Sequence, residues 1–345
     1  MAQVLTLGEV RNDIHKSLAR SFQSGNINFL VGSGASLPAI QAAGQIEQEI
    51  AEMLANGVED EARMRMYEFL AGIQAPTNAL INDEDNDTLK QTLKCYTEYL
   101  GIIEMILSER RTTLLPKQAT IFTTNYDLLI EKASIGYPAL KLNDGFTRVP
   151  SLDNRMEYSS RNFFNTTYNT GNLYSYKVEI PCINLIKLHG SLSWKKNGEE
   201  IVFSVSARDL LDEDRTAEQI SDFIEDYAVV LPQATKFRTT LMDRTYYELL
   251  RIYANELDRE NTLLVTFGFS FGDEHIRDIT RRALKNPTLR LVAFAHSNGD
   301  KESFDEIFSG YNNVEIIAPE DGGTIDFNNF NDTLRGLLPK SGETP

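Results

Sequence analysis

The stretch "NINFLVGSGAS", residues 26–36, indicates the fold most directly because an apolar run passes directly into a turn of small residues. Residues 27–31 have the length and composition of a buried strand, and residues 32–36 contain no bulky side chain. A buried strand that ends in a glycine-rich turn is typical of the first strand–helix unit of a parallel sheet. The rest of the chain should then alternate strands with helices.

Apolar runs of strand length recur along the chain, and sequences with helical patterns separate several of them. The predicted strands after the first lie at 119–123, 182–188, 226–232, 261–267, 288–295 and 312–317. The predicted helices outside the long helical block described next lie at 8–23, 237–257, 301–311 and 327–338. This alternation predicts an α/β fold with a Rossmann-like, doubly wound parallel sheet that helices cover on both faces.

Two long segments interrupt the alternation. Residues 39–115 have mostly helical patterns, which predicts a helical insertion lobe between the first two strands. Within that block, "APTNALINDEDNDT" at 75–88 is polar and acidic and contains a proline, so an exposed loop is expected there. Residues 143–181 are rich in Asn, Tyr, Ser and Thr and predict irregular structure packed on the body. We expect a single domain over residues 1–345.

Composition and charge restrict the classes of function. The chain of 345 residues has a net charge of −16, which argues against direct binding of nucleic acid and favours solubility and a basic protein partner. No apolar run approaches the roughly 20 residues that span a bilayer, and no signal peptide is expected at the N-terminus. Cys95 and Cys182 lie far apart and fit a reducing compartment, so a cytoplasmic location is expected.

Ligands of doubly wound sheets bind beyond the carboxyl ends of the strands, so the residues that follow each strand are the candidate site. Gly32, Gly34 and their small neighbours allow a diphosphate to approach the backbone, although a bare glycine turn explains them equally well. Asn125 and Asp127 follow the second strand and can point into a cleft. Alternatively, Asn125 caps a helix and Asp127 lies in its first turn.

Two further strand ends show the same pattern. His189 follows the third apolar run, where it is either a structural histidine or a base at the mouth of a pocket. Gly268, Ser270 and Asp273 follow a later run, and there the alternative is a strand-to-helix turn with Asp273 as the helix cap. Each signal is weak alone. All four together, each at the end of a predicted strand, indicate one shared cleft.

The four motifs in this order resemble the sirtuin family, and specifically its zinc-less bacterial branch of NAD-consuming antiphage proteins. The matching motifs are GSGAS at 32–36, TNYD at 124–127, KLHG at 187–190 and GFS at 268–270. The resemblance implies catalytic roles for Asn125, His189 and Asp127, with His189 as the base. It implies contacts to the bound NAD from Gly32, Ser33, Gly34, Ala35, Ser36, Thr124, Gly268 and Ser270.

This sequence departs from the sirtuin deacylases in one respect. Those enzymes carry two cysteine pairs that bind zinc soon after the His-Gly motif, and residues 191–211 occupy that place here without a cysteine. The resemblance therefore implies no zinc and no cofactor beyond NAD as the substrate, and it argues against a deacylase. An NAD hydrolase needs no groove for an acylated peptide.

The resemblance implies an NAD glycohydrolase that makes nicotinamide and ADP-ribose and acts in antiphage defence by depleting NAD. Such an enzyme needs control, which implies a homo-oligomer or a protein partner such as a HerA-type ATPase or an Argonaute-like protein. The alternative is a non-catalytic subunit of a defence complex that binds NAD or ADP-ribose. Cyclisation of NAD is not separated from hydrolysis by these residues. A nuclease is disfavoured because the acidic residues lack metal-site spacing.

Overall fold

A computed structural model of the chain describes residues 2–9, 15–42, 46–110, 115–148, 150–152, 154–171, 177–198, 200–212, 214–229, 240–320 and 322–338. Its strands are β1 (Gln3–Thr6), β2 (Asn26–Val31), β3 (Gln118–Thr123), β4 (Lys141–Asn143), β5 (Tyr168–Asn169), β6 (Val178–Glu179), β7 (Cys182–Lys187), β8 (Gly190–Asn197), β9 (Glu200–Phe203), β10 (Tyr227–Val229), β11 (Thr262–Phe267), β12 (Arg290–Phe294) and β13 (Val314–Ala318).

The helices follow in chain order between these strands. They are α1 (Leu7–Glu9), α2 (His15–Ser24), α3 (Ile46–Ala55), α4 (Glu59–Ile81), α5 (Asp87–Ser108), α6 (Leu129–Ser134), α7 (Ala217–Glu225), α8 (Thr240–Asp258), α9 (Glu274–Ala283), α10 (Asn298–Ile307) and α11 (Phe327–Arg335). Short 3₁₀ helices lie at Ser33–Ser36 and Ser160–Phe164. In the described part of the chain, no helix has the length and apolar character needed to cross a bilayer.

Eight strands form one sheet in the order β1-β13-β12-β11-β2-β3-β7-β4, and every neighbouring pair in it is parallel. From β2 the chain adds β3 and β7 on one side, and it later adds β11, β12 and β13 on the other side. The strand order therefore reverses between β2 and β11, which is the switch point of a doubly wound sheet. The predicted Rossmann-like α/β fold is confirmed.

Helices cover both faces of the sheet, and this explains why the strands are apolar throughout. Phe29 of β2 points to one face, where its ring meets the edge of Tyr99 of α5 with centroids 5.4 Å apart. Phe122 of β3 points to the other face and meets Tyr253 of α8 at 4.9 Å. All four side chains are almost completely buried. Strands with two buried faces have continuous apolar runs in place of an alternating pattern.

The loop predicted at 75–88 is wrong in its first half. Helix α4 continues through Pro76 to Ile81, and the connection to α5 begins only at Asn82. Proline lacks an N–H and normally disrupts a helix interior. Here the turn beyond Pro76 is held by other groups, because Thr77 Oγ1 donates to Ile73 O at 2.8 Å and Thr77 is buried. Tertiary packing outweighs the local preference of proline.

Several short elements also differ from the prediction. The strand expected at 226–232 exists as β10 over Tyr227–Val229, with 230–232 outside the described residues, but it pairs antiparallel with β8 in a separate sheet of order β10-β8-β9. Strands β1, β4, β5, β6, β8 and β9 and helix α7 are not predicted, since they are short and most carry no clear apolar pattern. The helix expected at 8–23 appears as α1 and α2, and residues 10–14 lie outside the described residues.

The two turns that follow β2 and β11 touch each other at the switch point. Gly32 N donates to Phe267 O and Gly34 N donates to Gly268 O, each at 3.0 Å. A Cβ atom on Gly32 would lie only 2.3 Å from Gly268 O. Gly268 has a φ of +64°, and a Cβ there would lie 2.4 Å from Ala35 N. Only glycine allows these two backbones to approach this closely.

We expect Gly268→Ala to lower the free energy of unfolding by about 3 kcal/mol, because the new Cβ combines an unfavourable φ with overlap on the backbone of the neighbouring turn. Gly310→Ala is the matched control, since Gly310 also has a positive φ of +90° but has open space around it. The control should lose about 1 kcal/mol. Urea unfolding measures both values, and equal losses would argue against the contact between the two turns.

Candidate functional site

Each of the four sequence motifs lies at the carboxyl end of its strand, and the four strands are neighbours. The motifs follow β11, β2, β3 and β7, which stand side by side in the sheet. Adjacent strands are about 5 Å apart, so the motifs share one edge over about 15 Å. The sequence order of the strands differs from their spatial order, and the switch point between β11 and β2 lies within this edge.

Asn125 connects the end of β3 to the turn after β2. Its Nδ2 donates to Gly32 O and to Ser36 Oγ, each at 3.1 Å, and the residue is 7% exposed. Within the described residues, Asn125 Oδ1 is buried and has no hydrogen-bond partner. A buried acceptor without a partner costs about 1–3 kcal/mol, and such groups often mark the place of a ligand or water. Asn125 does not cap a helix, because α6 begins only at Leu129.

Asp127 uses both of its carboxyl oxygens within the protein. Oδ1 accepts the N–H of Leu129 at 3.1 Å, at the start of α6, and Oδ2 accepts the hydroxyl of Ser36 at 2.8 Å. The residue is 4% exposed. Asp127 therefore holds the start of α6 from a position before the helix, whereas the helix-capping alternative expected it inside the first turn, and it also holds the turn after β2.

Ser36 is the meeting point of three buried side chains. Besides its bonds to Asn125 and Asp127, its Oγ lies 2.9 Å from the hydroxyl of Tyr96, which comes from α5 of the helical block. Burial, with Asp127 nearby, raises the pKa of Tyr96 well above its ordinary value, so the phenol stays neutral. Sequence reasoning missed Tyr96, because its helical spacing with Tyr99 and Ile103 indicates only a buried face.

The turn after β2 offers fewer free amides than a phosphate-binding loop usually does. The N–H groups of Gly32, Gly34 and Ala35 all donate to backbone carbonyls of this turn or of the β11 end. The N–H of Ser33 has no partner among the described residues. Contact of residues 32–36 with a pyrophosphate therefore stays a prediction, and it depends on the Ser33 amide and on the small side chains.

The remaining predicted contact residues lie at the same edge but differ in exposure. Thr124 is half-buried beside Asn125. Ser270 is exposed, and its Oγ accepts the N–H of Gly272 at 3.3 Å in a local turn. Gly268 is half-buried and contacts the turn after β2. Their proposed roles in binding NAD stay predictions.

His189 follows β7 directly and is paired with an acidic residue from a distant part of the sequence. Its Nε2 lies 3.0 Å from Asp273 Oδ2, and its side chain is 9% exposed. The rings of Tyr126 and Tyr246 flank it, with centroids at 6.4 and 6.0 Å. The other ring nitrogen, Nδ1, makes no hydrogen bond to a described residue. His189 is therefore held at one nitrogen and has the other available.

Asp273 has two contacts, and one of them is the helix cap that the sequence offered as the alternative to a role in the cleft. Its Oδ1 accepts the N–H of Ile276 at 3.0 Å and caps α9. Its Oδ2 faces His189, which the sequence did not indicate. Burial raises the pKa of Asp273, but the hydrogen bond and charge of His189, with the N–H of Ile276, lower it below its ordinary value. Asp273 is thus an ionised acceptor.

A buried ion pair supports the turn between β3 and α6. Lys187 Nζ lies 3.0 Å from Glu131 Oε1 and also donates to the backbone carbonyl of Asp127. Burial raises the pKa of Glu131, and the nearby Lys187 opposes this shift without cancelling it. Lys187 belongs to the KLHG motif at 187–190, so the strand that delivers His189 also fixes the turn that carries Asn125.

No three His, Cys, Asp or Glu side chains in the described ranges are grouped as metal ligands would be. Cys95 and Cys182 are both buried free thiols on different elements, α5 and β7.

The chain has a parallel sheet with polar side chains at its switch point. These are the features of doubly wound α/β proteins, which bind ligands at the carboxyl edge of the sheet. The sequence matches the SIR2-like domain over residues 119–317, which is more than half of the chain, and the protein belongs to this family. Because SIR2-like domains are often NAD-dependent enzymes, the family indicates an NAD-related function. A search of curated proteins finds no match.

We expect Ser36→Ala to lower the free energy of unfolding by about 2 kcal/mol, because Tyr96, Asn125 and Asp127 lose a shared buried partner. Ser221→Ala is the matched control. Ser221 is half-buried on α7 and its hydroxyl donates only to Ala217 O within the same helix, so its loss should stay within about 0.5 kcal/mol. Urea unfolding gives both values. A Ser36→Ala variant with the same free energy of unfolding as the wild type would contradict this hydrogen-bond network.

Proposed function

We propose that this protein is an NAD glycohydrolase that cleaves NAD to nicotinamide and ADP-ribose. Membership of the SIR2-like family supports a site for NAD. The observation that carries the proposal is the presence of two side-chain atoms without a hydrogen-bond partner after the neighbouring strands β3 and β7. Asn125 Oδ1 is buried without a partner after β3, and His189 Nδ1 has no partner after β7.

The two acceptors suit the chemistry of hydrolysis. The bond between ribose C1′ and the nicotinamide nitrogen breaks, its electron pair leaves with nicotinamide, and positive charge develops on the sugar. Water then bonds to C1′ and loses a proton. We assign to His189 Nδ1 the acceptance of that proton, or of one from a ribose hydroxyl, and release to solvent follows. Asn125 Oδ1 accepts a hydrogen bond from a ribose hydroxyl or from the attacking water.

Asp127 receives a positioning role in this scheme. Both of its oxygens are engaged, one by the start of α6 and the other by Ser36. Ser36 in turn accepts a hydrogen bond from Asn125 Nδ2. We propose that Asp127 holds Asn125 in place through Ser36, so that Asn125 Oδ1 is presented to the substrate.

The binding surface for NAD follows from the same edge of the sheet. We propose that the turn at 32–36 lies against the pyrophosphate, that Thr124 lies at the nicotinamide ribose, and that Gly268 and Ser270 line the adenosine side. Small residues at these positions leave room for close approach of the dinucleotide. In this proposal NAD is the substrate, and neither zinc nor another cofactor takes part.

We propose that the enzyme acts in antiphage defence in the cytoplasm, where depletion of NAD stops an infected cell. Unregulated hydrolysis of NAD would harm the cell that makes the enzyme, so activation must be controlled. Assembly into a homo-oligomer or contact with a partner, such as a HerA-type ATPase or an Argonaute-like protein, supplies that control. The net charge of −16 favours a partner with a basic surface.

Incubation of purified protein with NAD, followed by chromatography, tests the reaction. We expect loss of NAD with matching release of nicotinamide, and a fall in kcat of about 10²–10⁴ in His189→Ala and in Asn125→Ala. His275→Ala is the matched histidine control, because its side chain is exposed on α9, and it should retain most of the activity. The second product distinguishes hydrolysis, which gives linear ADP-ribose, from cyclisation.

Other outcomes would favour a different function. A thermal shift with NAD, without turnover at high protein concentration, would favour the alternative of a subunit that binds NAD or ADP-ribose for regulation. The absence of both turnover and thermal shift would overturn the assignment of NAD to this cleft. Equal activity in wild type and His189→Ala would place the chemistry elsewhere.

A further inference from the structure

We infer that Asp273 is a positioning residue that fixes the ring orientation and the tautomer of His189, and so makes Nδ1 the nitrogen that accepts the proton. The inference rests on the proposed function for its effect on catalysis. The contact between the two side chains, 3.0 Å between Nε2 and Oδ2, does not depend on that function.

The carboxyl group of Asp273 is held from both sides. Oδ1 accepts the N–H of Ile276 at the start of α9, which fixes the rotation of the carboxyl group and directs Oδ2 at His189. The two side chains are 9% and 14% exposed, so water competes little for this hydrogen bond. A hydrogen bond in a desolvated site is stronger than the same bond in water.

The acceptor opposite Nε2 determines the protonation pattern of the neutral ring. Asp273 Oδ2 accepts a hydrogen bond, so the ring proton lies on Nε2 and the lone pair lies on Nδ1. When Nδ1 takes up a proton, the ring becomes a cation that faces a carboxylate. An aspartate that orients a catalytic histidine in this way is known from hydrolases of unrelated fold.

Capping of α9 does not require an aspartate at this position. One side-chain oxygen suffices for a cap, and Ser, Thr and Asn serve as well as Asp. Other helices of the chain use a range of these residues as caps: Asn86, Thr216, Ser297 and Asp326. The cap uses only Oδ1 of Asp273. Oδ2 is not needed for the cap, and it is the oxygen that contacts His189.

The path of the β11–α9 loop also serves this contact. β11 and β7 are separated by β2 and β3, so residues 268–273 must pass over two strand ends to bring Asp273 to His189. Phe271 has a φ of +58°, which costs about 1 kcal/mol for a residue with a side chain. Its buried ring packs edge-on against Phe304 and Phe308 and anchors the loop in this conformation.

Asp273→Asn tests the inference with little change in structure. The Ile276 N–H keeps the asparagine Oδ1 as its acceptor, so the cap remains and the amide NH₂ faces Nε2 as a donor. Nε2 must then accept, and the ring proton moves to Nδ1. Asp326→Asn is the matched control, because Asp326 caps α11 through the N–H of Asn329 at 2.9 Å and takes no part in the His189 contact.

The first readout is the tautomer of His189 in the full-length protein, from long-range ¹H–¹⁵N NMR of protein labelled at histidine. The chain has four histidines, and the signals missing in His189→Ala identify His189. We expect the Nε2–H form in the wild type and in Asp326→Asn, and the Nδ1–H form in Asp273→Asn. This readout needs no turnover, so it separates the inference from the proposed function.

The second readout is the kinetics of NAD turnover. We expect kcat to fall by about 10³–10⁴ in Asp273→Asn with KM close to the wild-type value, while Asp326→Asn retains both parameters. Asp273→Ser keeps a cap oxygen but removes the partner of His189, so it should lower kcat as well. An unchanged tautomer in Asp273→Asn, or wild-type kcat in both Asp273 variants, would overturn the inference.

Discussion

The close approach of two backbones at the switch point is the constraint on which the site depends. The turns after β2 and β11 lie within direct hydrogen-bonding distance, with Gly34 N donating to Gly268 O. Side chains at Gly32 or Gly268 would drive the turns apart by overlap with backbone atoms. The strand order of the sheet reverses between β2 and β11. The contact between the two turns therefore fixes the position of the residues after β2 relative to the residues after β11.

The turn after β2 also makes hydrogen bonds to the other parts of the site. Ser36 at its end joins Asn125 and Asp127 from the end of β3, and Tyr96 from the helical block adds to the same network. The helical block between the first two strands of the cleft therefore contributes a buried residue to the site in addition to packing on the sheet. Each of these side chains makes at least one hydrogen bond within the network, which makes the network rigid. Asn125 Oδ1 is the atom of the network that is buried without a partner.

The site contains one ion pair and one hydrogen bond between a histidine and a carboxylate. Lys187 and Glu131 form the ion pair next to the turn that carries Asn125, whereas the contact of His189 with Asp273 joins residues that follow β7 and β11. Both contacts are shielded from water, so water competes little for their hydrogen bonds. The family indicates an NAD-related function, and we propose that this site binds NAD and that His189 acts there on a sugar hydroxyl or water.

Local patterns in the sequence predict six of the eight strands of the parallel sheet and the residues at four strand ends, because buried strands and glycine turns are encoded by neighbouring residues. They were misleading at Pro76, where packing carries the helix past the proline, and at β10, whose apolar run joins an antiparallel sheet. They gave no sign that Tyr96 reaches Ser36 or that Asp273 meets His189, 60 and 84 residues apart in sequence. Neighbouring residues alone specify which side chains stand at the carboxyl edge. Which of them touch depends on the tertiary structure, because the order of strands in the sheet differs from their order in the chain.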